Sequence, residues 1–110
     1  NSLQDDPHLQ YGSAIEHHKG FAQTVNVHFA VLLNRTAVAI KIWEKGCGAT
    51  LACGTGASAT VFSGIAKGLL DNEVEVLMPG GIVKINASDN GYLLSGEVCE
   101  AFQGVYNWKI

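Results

Sequence analysis

The sequence predicts an α+β domain in which a mostly antiparallel sheet wraps around one central buried helix. Behind Cys53 run Ala59, Val61, Phe62, Ile65, Ala66, Leu69 and Leu70, with Ser, Thr and Gly between them and one charge, Lys67, near the end. A surface helix keeps a polar stripe, so a helix without one belongs inside a core. On both sides of it the chain alternates between apolar and polar residues with the period of strands. Gly, Pro, Asn and Asp punctuate these runs where turns are needed.

Asp6-Pro7 reads as an N-cap followed by proline at the first helical position, and Gly20 as a stop, which predicts a short helix over 7–18. From Thr24 to Leu33 the alternation predicts a strand with Val25, Val27, Phe29, Val31 and Leu33 facing the core and Asn26 and His28 facing away. Asn34-Arg35 is a turn, and Thr36 to Glu44 a second strand whose row Val38, Ile40, Ile42 ends on Glu44. A carboxylate in such a row is partnered or neutralised, or else the strand end bends into solvent. For Asn26 and Glu44 to serve one ligand, a bulge or a strand end has to bring them to the same face. After the helix, 73–78 and 82–86 form a hairpin about Pro79-Gly80-Gly81, Asp89-Asn90-Gly91 turns again, and strands follow over 92–98 and 101–110. Gly64, Phe62, Trp43, Tyr92 and Trp108 read as packing features.

The 110 residues suffice for one domain with a core, 1–110, and not for two. Apolar residues make up 47% and charged residues only 15%, below the usual quarter or so. A chain so short of solvated surface is what half of a larger protein looks like, with one face meant to be covered. The net charge of −3, with Lys and Arg scattered singly, provides no patch for nucleic acid. No run is long enough to span a bilayer and no basic leader precedes an apolar stretch, so the expectation is a cytoplasmic chain that begins in mid-protein and engages no membrane. Cys47, Cys53 and Cys99 are odd in number and lack zinc spacing, which suits a reducing compartment. His17 and His18 are adjacent and cannot point the same way, and no other ligand type is spaced to join them, so no metal site is assigned.

Chemistry concentrates at the front of the apolar helix. The first turn of a helix has unbonded N–H groups and partial positive charge, and Gly54 and Gly56 let a ligand approach the backbone. Such a mouth seats an anion. A cysteine placed there has its thiolate favoured, which makes Cys53 the first candidate for an acid/base or nucleophile. The alternative, a small buried core cysteine, fits most lone cysteines but not one flanked by two such glycines.

Trp43-Glu44-Lys45-Gly46, Gly48, Thr50 and Ala52-Cys53-Gly54-Thr55-Gly56-Ala57 together resemble the C-terminal signature of the diaminopimelate epimerase family. Thr24-Val25-Asn26-Val27-His28-Phe29, Gly68-Leu69-Leu70-Asp71 and Met78-Pro79-Gly80-Gly81 agree with it in the same order, so the resemblance covers nearly the whole chain. It implies a half-domain of a two-domain, cofactor-independent epimerase that interconverts LL- and meso-diaminopimelate, in lysine and peptidoglycan precursor biosynthesis. Each half of such an enzyme contributes one cysteine to the cleft between them, and no pyridoxal phosphate is used. Position by position, the resemblance makes Cys53 this half's acid/base and Glu44 a residue that tunes the thiols. It makes Asn26, Glu44, Lys45, Gly54 and Thr55 substrate contacts. The implied partners are the small-molecule substrate and the N-terminal half, which this chain does not include; two copies of this half facing each other, a homodimer, is a second arrangement. Lys45 departs from the family's arginine, Ala49 from a common glutamate, and Ser58 from a small residue that is often cysteine.

Three rivals stand beside that reading. A same-fold racemase or isomerase half would share the thiol, and a non-catalytic domain would act through its apolar face. Gly54-Thr55-Gly56-Ala57-Ser58-Ala59 also fits a dinucleotide-binding pattern, but Leu51-Ala52 is short for the strand that pattern needs, and Asp71 and Glu73 fall before the next strand and not at its end.

Overall fold

The computed structural model describes residues 3–110. After a short 3-10 turn at Leu3–Asp5 come α1 (Pro7–Glu16), β1 (Val27–Asn34), β2 (Ala37–Glu44), β3 (Gly48–Thr50), α2 (Gly54–Ala66), β4 (Glu73–Met78), β5 (Gly81–Ser88) and β6 (Gly91–Gly96). The six strands form one sheet in the order β1-β2-β4-β5-β6, with β3 beside β2. The α+β class and the mostly antiparallel sheet are as expected. The pair β2–β4 is parallel and joined through α2, so one crossover is built into an otherwise antiparallel sheet. β4 pairs with the first residues of β2, from Ala37 to Ala39, and β3 pairs with its last, from Ile42 to Glu44.

The core lies between α2 and the sheet. Val38, Ile40 and Ile42 of β2, Val74 and Val76 of β4, and Ile85 of β5 pack with Ala57 and Val61 of α2 and with Cys53 and Leu70. Gly64 is a packing residue: a Cβ there would overlap Leu70 Cδ1. Leu70 reaches this spot because the helix stops at Ala66 and turns back through Gly68, at φ 70°, whose N–H bonds to the Ile65 carbonyl at 2.9 Å. This is the usual left-handed glycine exit from a helix.

Three expectations need correction. The helix is not buried on every side. The sheet covers only the side that carries Gly56, Ala57, Val61 and Gly64, and Phe62 on the other is 59% exposed, resting edge-on against Tyr92 of β6. The described residues 97–110 form no strand, and Phe102 is 86% exposed. Alternation makes a stretch fit for a strand, but a strand exists only through its ladder, and this stretch has none. Finally, the row Val27, Phe29, Val31 does not face the α2 core. His28 pairs across the hairpin with Ile42, Ala30 with Ile40 and Leu32 with Val38, so His28, Ala30 and Leu32 share the α2 face of the sheet. The register shifts between Leu32 and Asn34, and one extra residue reverses which side chains face inward.

The other row of β1 lies on the face that α1 covers. Gly12 of α1 sits directly on the Trp43 ring, where a Cβ would come within 2.5 Å of the indole. The Trp43 Nε1–H donates to Glu16 Oε2 at 2.8 Å, and the Gly46 N–H donates to Glu16 Oε1 at 3.0 Å. One carboxylate thus ties α1 to the turn after β2. Asp6 occupies the N-cap position expected of it but makes no side-chain cap; its backbone is left-handed, and its carboxylate reaches Lys41 Nζ at 3.3 Å. α1 ends at Glu16, two residues earlier than expected, and His17 and His18 turn their Nδ1 atoms to the Ser13 carbonyl and the Gly20 N–H.

The Trp43 hydrogen bond, followed by the Gly46 N–H and the charges of His17 and Lys45, holds the Glu16 carboxyl below its ordinary 4.5, against the upward push of burial. A carboxyl lowered on folding contributes stability that is complete above its unfolded value and is lost as pH falls through its folded one. Glu16→Gln is therefore expected to lower the melting temperature at pH 7 and to converge on the wild-type curve well below pH 4.5. Parallel melting curves at all pH values would show that ionised Glu16 does not stabilise the fold.

Candidate active site

Cys53 is the N-cap of α2. Its backbone is extended, at φ −150° and ψ 104°, its carbonyl accepts the Ala57 N–H at 2.9 Å, and its Sγ accepts the Gly56 N–H at 3.3 Å. Sulfur here does what a serine or aspartate oxygen does at other helix starts. Thr55 Oγ1 lies 3.5 Å from the same Sγ. Cys53 is 8% exposed, while Ala52, Gly54 and Thr55 around it are exposed, so the thiol lies just under the surface of the helix mouth. Among the three thiols it is the buried one; Cys47 and Cys99 are exposed. The loop that carries it is clamped from below by the β4–β5 turn, where the Gly80 N–H donates to the Leu51 carbonyl at 2.7 Å.

Glu44 closes β2 half-buried, and its Oε1 accepts the Thr50 Oγ1 hydrogen at 2.6 Å from β3. The carboxylate is partnered, one of the two fates the sequence left open. Asn26, just before β1, accepts the Lys45 N–H on Oδ1 at 2.8 Å and so braces the turn after Glu44. Asn26 lies one residue before the paired part of β1, and Ile42 and Glu44 share one row of β2, facing His28 through Ile42. The bond to Lys45 brings Asn26 to the end of β2 that carries Glu44. The Lys45 and Gly46 backbone is held on both sides, by Asn26 and by Glu16.

A residue the sequence reading placed on the outside also belongs here. The His28 ring packs on Gly56 of α2, and the Glu44 charge acts on it from β2. Burial, opposed by Glu44, holds the imidazole below its ordinary 6.5. Its identity as a polar residue in an alternating strand was visible in the sequence, but its side was not. Among the described residues no group of His, Cys, Asp and Glu is arranged to hold a metal ion.

The sequence model of the family described as diaminopimelate epimerase matches residues 1–99. The chain belongs to the diaminopimelate epimerase family. It is 39% identical over 98 residues to the diaminopimelate epimerase of Clostridium perfringens, covering 89% of this chain and 36% of that protein. The corresponding enzyme of Nitrosomonas europaea is 42% identical over 100 residues, with 89% and 36% covered, and that of Variovorax paradoxus 41% over 106, with 94% and 36%. The chain thus spans little more than a third of the curated relatives it matches. The first residues of α2 combine a thiol cap with two glycines, and Gly54 and Thr55 are exposed. That arrangement can seat a carboxylate and present one sulfur to it. It lacks the context of a dinucleotide site, because β3 has only three residues and a loop separates it from α2.

Proposed function

We propose that this chain is the C-terminal catalytic half of a diaminopimelate epimerase that acts in the cytoplasm on LL- and meso-diaminopimelate. The observation that carries the reading is the Cys53 sulfur on the first turn of α2, under exposed Gly54 and Thr55. The substrate's α-carboxylate binds the free N–H groups of Gly54 and Thr55, so the charge that develops as the α-proton leaves faces the positive end of the helix. Cys53 takes or returns the proton on one face of the α-carbon. Inversion needs a second group on the opposite face. The N-terminal half supplies it as a second cysteine, and the two thiols exchange the roles of base and acid with the direction of reaction. Glu44 tunes proton transfer from its place beside Thr50, while Asn26 and Lys45 contact the distal part of the substrate. Lysine in place of arginine makes that last contact a point charge and not a fork. No cofactor takes part.

The apolar face around Phe62, Tyr92 and Leu94 supports a partner domain over this side of the molecule. In this reading the 110-residue chain alone shows no epimerase activity, because one thiol offers no acid on the far face. Adding the N-terminal half in trans restores turnover, followed as loss of optical rotation or as solvent deuterium entering the α-position. Robust turnover by the isolated chain would sink the two-domain mechanism, unless sedimentation showed a homodimer with two Cys53 thiols in one cleft.

A further inference from the structure

The ring beneath the α2 mouth has a geometry that the roles above do not use. Gly56 leaves a gap in the first turn of α2, and the His28 imidazole fills it: a Cβ on Gly56 would overlap Nε2, Cε1 and Cδ2 of the ring. Nε2 is buried there without a hydrogen-bond partner among the described residues. Sealing a polar nitrogen away unpaired costs free energy, so a native fold retains such a contact where the packing around it requires that shape. The backbone touched by the ring is that of Gly56, whose N–H donates to Cys53 Sγ at 3.3 Å. The ring itself stands on a firm base, since His28 pairs with the fully buried Ile42.

We propose that His28 is a positioning residue for the Cys53 thiol: its ring, wedged into the space where residue 56 has no side chain, fixes the first turn of α2 and with it the N–H that holds Sγ. Only the catalytic readout of this role rests on the function proposed above. The charged and titratable groups around the ring are Glu44 on β2 and Cys53 on α2, with Lys67 at the far end of the same groove of about 410 Å³. The neutral ring suits this place. A protonated one would bring a second positive charge to a helix start that already carries partial positive charge, together with an N–H that has no acceptor.

The test is a double-mutant cycle on this chain. Iodoacetamide labelling of Cys53 is followed by mass spectrometry against exposed Cys99 as the internal reference. His28→Ala loosens the turn and is expected to raise the Cys53-to-Cys99 labelling ratio about tenfold, and Gly56→Ala to raise it similarly by expelling the ring. In His28→Ala/Gly56→Ala the new methyl group occupies the vacated space, and the ratio is expected to return to within about threefold of wild type. Single effects that simply multiply in the double variant would overturn the proposal, as would a His28→Ala ratio within about twofold of wild type. If Gly56→Ala does not fold, the cycle is read from folding: a folded double variant supports the wedge, and an unfolded one overturns it. In the two-domain enzyme His28→Ala is expected to lower kcat and leave KM nearly unchanged, whereas a raised KM with intact kcat would overturn the positioning role. An inactive wild-type enzyme would end the proposed function, and the labelling cycle would still decide the role of His28.

Discussion

Cys53→Ser in the two-domain enzyme is expected to lower epimerisation by about a thousandfold, within the usual range for removing a general base. Serine is the informative replacement because it keeps a capping oxygen for the Gly56 N–H, now bonded to Sγ at 3.3 Å, and so leaves the start of α2 intact. A hydroxyl in the same place is a far weaker acid than a thiol, and near neutral pH almost none of it is ionised to act as a base. Exchange of the α-proton with deuterium measures the effect directly, and circular dichroism verifies the fold. Glu44→Gln should slow the same exchange less, because it preserves an acceptor for Thr50 Oγ1. More than about a tenth of wild-type exchange in Cys53→Ser would remove this thiol from the chemistry.

Ile42→Ala is expected to destabilise the chain by about 3 kcal/mol, the middle of the range for truncating a buried isoleucine. Ile42 is 0% exposed and has His28 on one side and Thr50 on the other, as the centre of a row across β1, β2 and β3. Truncation opens a cavity beneath both halves of the site, since His28 abuts Gly56 and Thr50 holds Glu44. For a domain of this size the melting temperature should fall by roughly 10 °C or more. Ile42→Val should lose about 1 kcal/mol. A fall of under about 1 kcal/mol for alanine, measured by urea unfolding, would show that the core can collapse around this position.

Glu16 and Trp43 show how a structural contact escapes pattern reading. The glutamate is a polar residue near a helix end and the tryptophan an apolar residue near a strand end, and only the packing of α1 on the sheet joins them at 2.8 Å. The same holds for Gly12, whose lack of a side chain has a reason only once the Trp43 ring lies over it.

Local physics alone determined much of this protein. The two-residue alternation of β2, the hairpin about Gly80 and Gly81, and the thiol at the start of α2 each follow from preferences of a few neighbouring residues, and each is where it was expected, whereas the apolar run expected to continue through Leu69 and Leu70 leaves the helix after Ala66, at Gly68. What only the tertiary structure decided was which side of each element meets the core. The shift between Leu32 and Asn34 turned β1 over and hid His28 against Gly56. The apolar tail after β6, for all its alternation, took no strand partner. A strand's period is set by its own backbone, whereas its facing is set by the register with its neighbour, and a single extra residue in the ladder reverses that facing without altering the pattern.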